Sequence, residues 1–481
     1  MRAFWVALIF LKLIASFISG SFIMGRIFAT SNELGYFDFY TNLIEIRNYT
    51  APAKSVLEEA LRETLPNKWD EYWPVRVNFR SLVVHEATHF NDCVTTSWGL
   101  EFLFRKLNLM KRISEGLSVE QALSVFYLNV SELRSHKELL ELGEFQLSRT
   151  TSMTHEVVVD DRFGPLIFVI YNCGDEVIQK VPLSMLAVLE ANALANETLV
   201  KIVAAEALEA CSEKDEYLDE VNRDFQKILD DKERSEYTVL ISLVKLHFRE
   251  LTLREQLVFT ATLCRFTLDV NMIACSAISS YIERFFLNEY AGATLSQDMR
   301  REGSRAVIFF KTALFIYGWM QTSNYSTRVH VLKLLKTNPL AVILKFWASR
   351  VNGFLMHYGM TDSFMFSSSL KNITELSSAI DEEIIRSCSL YNRSVLSERP
   401  LGVCDLSEVR LLDVFLSDET EICVPNRVDF SISDYLIGNV DIFNKTEEYC
   451  RLAVSKFFMR PEDFILHVSS LEDFGEEPEL H

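Results

Sequence analysis

The stretch Ser81 to Asn91 reads Ser-Leu-Val-Val-His-Glu-Ala-Thr-His-Phe-Asn, and it constrains this chain more than any other feature. His85, Glu86 and His89 interrupt an apolar run that holds no other charge. On an α-helix, residues four apart share a face, so His85 and His89 turn their ring nitrogens toward one point. Glu86 lies about 100° round the helix from His85. Two histidines and a carboxylate are costly to bury unless a cation or hydrogen bonds compensate them. A metal ion held by His85 and His89 meets that need, with Glu86 left free to reach a water on the ion. The competing reading is a pair of surface histidines, or core histidines satisfied by ordinary hydrogen bonds.

The segment LVVHEATHF (Leu82 to Phe90) resembles the active-site helix of the zincin metallopeptidases. The resemblance covers this one segment, and Asn91 stands where that family usually has an apolar residue. It implies a Zn2+ site with His85 and His89 as ligands. It also implies that Glu86 is the general base, taking a proton from a bound water whose pKa zinc lowers to roughly 7. Such a site needs a third protein ligand and an open position. The metzincin extension would place Gly at 92 and His at 95, but Asp92 and Thr95 stand there. The gluzincin pattern draws a Glu from a second helix instead. Glu190 is the leading candidate, a carboxylate set among Met185, Leu186, Val188, Leu189 and Leu194, with alanines that let another helix approach. Glu115 and His155 are its rivals, and the competing reading of Glu190 is a solvent-facing residue beside Asn192 and Glu197. Glu101 would sit about 18 Å along a continuous helix from His89, out of reach. Asp92, one turn past His89, is a candidate to orient a ligand histidine, or else a solvated helix residue. A hairpin over Thr154 to Tyr171 is expected to lay an edge strand beside the metal, with His155 or Tyr171 near the reacting oxygen.

The pattern around this motif is mainly α with a small β element (α+β). Helices are expected at Ser55 to Thr64, from about Asn78 to at least Asn91, and at Leu100 to Arg112, Ser118 to Leu128 and Ser131 to Leu142. Extended runs at Thr154 to Val159, Pro165 to Tyr171 and Glu176 to Val181 flank Asp/Gly turns. Pro182 is expected to open a helix over Leu183 to Ala210. Long apolar helices are then expected over Leu253 to Glu289, Ser304 to Met320 and Arg328 to Met356. Each carries an internal charge and so reads as core, not as a membrane span. The domain reading is 1–24 as a signal peptide, anchor or buried first helix, 25–236 as a zincin-like catalytic domain, and 237–481 as a helical C-terminal domain.

Composition narrows the partners. A net charge of −19 argues against nucleic acid, which needs a basic footprint. With 35 Phe and 49% apolar residues the chain can bury a large core. Nine cysteines leave at least one outside any intrachain pairing, and no CxxC suggests a second zinc site. The apolar run of residues 3–25, broken by Lys12, is the one route to membrane contact. If it is a signal the chain is exported or anchored; otherwise it is cytoplasmic. The expectation is a zinc-dependent hydrolase acting on a peptide or protein substrate. The alternative is a non-catalytic helical binding or scaffold protein with a degenerate or structural site.

Overall fold

A computed structural model describes residues 34–116 and 147–446, apart from residues 40, 63–64, 161–163, 302, 377–378, 430, 432–433 and 437. The apolar N-terminal run and the helices expected at 118–128 and 131–142 lie outside these. Among the described residues helices dominate, with two small sheets.

The chain enters through two short strands, β1 (Gly35–Phe37) and β2 (Ile44–Ile46), paired antiparallel. Helix α1 (Lys54–Leu61) follows. Helix α2 (Trp73–Thr95) carries the histidines, has Pro74 in its first turn and starts earlier than the expected Asn78. Thr96 ends it and caps α3 (Ser97–Ser114), accepting a hydrogen bond from the Gly99 amide at 2.9 Å. The corner is tight: a side chain on Gly99 would strike the backbone carbonyls of Asp92 and Cys93.

The expected extended runs form an antiparallel sheet, β3 (Ser152–Asp160), β4 (Gly164–Cys173) and β5 (Glu176–Pro182), in that order. Pro182 closes β5 and does not open the next helix; the Ser184 side chain caps α4 (Met185–Ala207). The remaining helices are α5 (Ser212–Asp230), α6 (Ser235–His247), α7 (Leu253–Asp269), α8 (Met272–Ile282), α9 (Glu289–Arg300), α10 (Ala306–Thr322), α11 (Tyr325–Thr337), α12 (Pro339–Ala348), α13 (Thr361–Leu376) and α14 (Ala379–Leu396). Two of the long helices expected from the sequence are each broken. Asn271 caps α8 after a sharp bend of 111°, and Asn338 with Pro339 stops α11 and starts α12. Among the described residues no single helix is long and apolar enough to cross a membrane.

Strands β6 (Val414–Leu416) and β7 (Glu421–Ile422) complete the first sheet, in the order β1-β2-β6-β7. The β2–β6 pairing is parallel, Ile44 opposite Val414, and ties the two ends of the described chain together. One apolar core runs from Phe37 to Phe443 and crosses the expected boundary at 236, with α6 and α7 packed directly on α4. No disulfide joins the described cysteines.

Candidate metal centre

Helices α2 and α4 pack against each other, and both are almost wholly buried. Ala187, Ala191, Ala193 and Ala195 permit this close approach, because a methyl adds little width to a helix. The seam brings together His85 and His89 from α2 with Glu190 from α4. Glu190 Oε2 lies 3.6 Å from His85 Nε2 and 3.7 Å from His89 Nε2. Those separations are too long for hydrogen bonds. Zinc bonds of about 2.0–2.2 Å in tetrahedral geometry set neighbouring ligand atoms roughly 3.4 Å apart, close to what is found. All three ligand atoms fall within 4.8 Å of one another. Glu190 Oε2 and His89 Nδ1 are buried with no hydrogen-bond partner. The group can hold a metal ion.

Electrostatics agree with the geometry. Burial disfavours charge on His85, but Glu190 and Glu197 outweigh it and hold its pKa well above the usual imidazole value. Burial works against His89 in the same way, and Glu190 raises it. Burial alone would push Glu190 up, yet His89 and His85 pull it down to about 2. The carboxylate therefore calls for positive charge, which either imidazolium protons or a metal ion can supply.

Sequence reasoning missed Glu197, which the competing reading of Glu190 placed in solvent. Glu197 Oε2 lies 3.0 Å from His85 Nδ1, and its other oxygen accepts from Lys201 at 2.7 Å. It is held below the usual carboxylate range: burial opposes this, but Lys201 and His85 prevail. A carboxylate on Nδ1 fixes the tautomer that leaves Nε2 facing the ligand cluster. The signal was present in the sequence, since seven residues is nearly two helical turns and puts Glu197 on the face of Glu190.

The other expected residues fall elsewhere. Glu115 is exposed at the end of α3, and Glu101 pairs with Arg105 on the same helix. His155 Nε2 accepts from Lys311 of α10 at 2.8 Å and its ring packs on Phe310. Tyr171 is buried in β4 near Ser242 of α6. The hairpin thus packs toward α10 and α6, and the strand beside the candidate ligands is β1 instead. Phe37 meets Phe90 at 6.2 Å and Phe39 meets His89 at 5.9 Å between ring centroids. The buried ammonium of Lys106 pins the turn after β1, donating to Phe39 O at 3.0 Å and Asn42 Oδ1 at 3.2 Å. Asp92 neither faces solvent nor binds a histidine. It is 1% exposed and accepts from Asn192 Nδ2 at 2.9 and 3.1 Å.

That Asp92–Asn192 pair lies on a second face of the helix pair, where a cleft of about 1270 Å³ is lined by Thr88, Asn91, Asp92, Asn192, Arg265 and Arg393 among others. His85, His89 and Glu190 do not line it. Comparison with protein-family models, curated proteins and solved structures finds no match to this chain.

Proposed function

We propose that this protein is a zinc-dependent hydrolase of gluzincin type that cleaves peptide bonds. The observation that carries the reading is Glu190 Oε2, a buried carboxylate oxygen with no hydrogen-bond partner, facing two imidazole nitrogens at near-ligand spacing. His85, His89 and Glu190 would hold the ion, and a catalytic zinc needs one further position for water or substrate. Zinc, when bound, polarises a carbonyl and lowers the pKa of water to roughly 7. Glu86 follows His85 in the chain and is 6% exposed. It takes the proton of the attacking water and passes it to the departing amine. Glu197 holds His85 in its working tautomer, and Phe39 packs beside His89 and limits its movement.

The test is zinc content and turnover on a fluorescence-quenched peptide library, wild type beside Glu86→Gln. One zinc per chain in both, with cleavage lost only in the variant, is the expected result. Zinc without cleavage in the wild type would favour a structural ion in a scaffold protein. A folded wild type that takes up no zinc when it is supplied would sink the reading altogether.

A further inference from the structure

Strand β1 runs along the motif helix with alternate residues turned toward it. Phe37 of β1 meets Phe90, and Phe39, in the turn that follows the strand, meets His89. The position before them on the same face, where the alternation calls for a third large side chain, is Gly35. It sits directly against Glu86. A methyl group built on Gly35 would fall 2.5 Å from Glu86 Oε1 and 3.1 Å from its Cγ, with Ile46 Cδ1 also at 3.1 Å.

We infer that Gly35 is a positioning residue for Glu86: with no side chain there, the carboxylate occupies the space between β1 and α2 from which it serves the metal site. The inference rests on the hydrolase reading and adds to it a determinant outside the motif helix. Its logic lies in what would yield. The atom in the way is the far end of a flexible side chain, so an added methyl displaces the Glu86 carboxylate and leaves the backbone where it is. Alanine at residue 35 is therefore expected to spare the ligands while moving the base, with Ile46 Cδ1 giving by a few tenths of an ångström. A general base displaced by about 1 Å can lose on the order of 100-fold in rate.

The experiment compares wild type, Gly35→Ala and Glu86→Gln, each loaded with cobalt(II) in place of zinc. It reads bound cobalt per chain, the visible cobalt spectrum, and kcat and KM on a peptide the wild type cleaves. Gly35→Ala is expected to bind cobalt as fully as the wild type and to shift its spectrum in the direction Glu86→Gln does. It should lose roughly 100-fold in kcat with KM little changed. A Gly35→Ala protein with the wild-type spectrum and kcat would overturn the inference and leave the hydrolase reading standing. A wild type that binds no cobalt overturns both. If Gly35→Ala does not fold, the double variant Gly35→Ala/Glu86→Ala decides. Recovery of folding locates the collision at Glu86 and supports the inference; failure of both places it at Ile46 and the backbone, and overturns it.

Discussion

The two faces of the α2–α4 pair are built from the same buried helices and treat their polar groups in opposite ways. On the cleft side every amide finds a partner. Asp92 accepts from Asn192, Asn192 from Asn196, and Asn196 from the Gly402 amide at 2.7 Å. Asn392 joins Asn91 at 2.8 Å and bonds the Arg410 backbone in both directions. On the ligand side Glu190 Oε2 and His89 Nδ1 have no hydrogen-bond partner, and the histidine nitrogens stand just beyond hydrogen-bond range of the carboxylate. The buried amides of the neighbouring face are paired, although Arg265 Nε there is not, and an unpaired Glu190 carboxylate oxygen makes a structural explanation of the ligand side expensive. The contrast separates buried polar residues that hold the fold from Glu190 Oε2, which belongs to a group that could hold a metal ion.

The largest effect should follow from removing a ligand. His89→Ala is expected to weaken zinc binding by more than the roughly 10–100-fold that a residue hydrogen-bonded behind a ligand carries. In the wild type, zinc at about 1,000 times its Kd adds roughly 4 kcal/mol to the unfolding free energy. Urea unfolding with and without zinc should show this increment vanish in the variant; an undiminished increment would mean that the ion sits elsewhere. Next is Glu197→Gln, which keeps the shape and removes the charge facing His85 Nδ1. Zinc affinity by competition with a chelator should fall about 10–100-fold. No change there would demote Glu197 to a surface partner of Lys201.

How much of this was legible follows the length scale of each signal. The i, i+4 histidines announce their own face, and an acid among Leu, Val and Met announces that it needs a partner, so His85, His89 and Glu190 were readable. Glu197 belongs to the same face but sits nearer the helix's polar end, where sequence offers a solvated reading just as readily. The β1-β2-β6-β7 sheet was invisible because strands of three residues carry no period, and Ile44 finds Val414 only through the tertiary fold. The hairpin itself was legible from its valines and turns. Its location was not, since nothing in Thr154 to Tyr171 encodes that His155 will meet Lys311. Breaks at Asn271 and Asn338 were written in capping residues that the apolar run around them overrode.

The cleft face has an ionisable group in Asp92, and it gives the comparison a pH axis. Burial raises its carboxyl from 3.8 to about 6 against the pull of Asn192, His89 and Arg265. A raised folded pKa means that the native state takes up the proton first. The contribution to stability is fully present below pH 3.8 and is lost as pH rises through about 6. The shift corresponds to about 3 kcal/mol. Asp92→Asn should therefore gain on the wild type by up to that amount at pH 7 relative to pH 4, in urea unfolding of the zinc-free protein. An equal difference between the two proteins at both pH values would show that Asp92 titrates normally and that the cleft face is wetter than its burial implies.

Asn392→Ala tests the cleft face where no charge complicates it. The side chain reaches from α14 to the motif helix, and its loss leaves Asn91 Oδ1 and the Arg410 amide without the partner each has now. Unsatisfied buried groups cost about 1–3 kcal/mol each, and relaxation of the neighbouring chain returns part of that, so a loss near the lower end is expected in urea unfolding. Zinc affinity should be unchanged, because Asn91 lies on the opposite side of α2 from the ligand cluster's opening toward Glu190. A stability loss with affinity intact keeps the two faces separate. A parallel fall in zinc affinity would mean that the Asn91–Asn392 bond sets the pitch of α2 at His89, and the division between a structural face and a ligand face would then have to give way to a single coupled network.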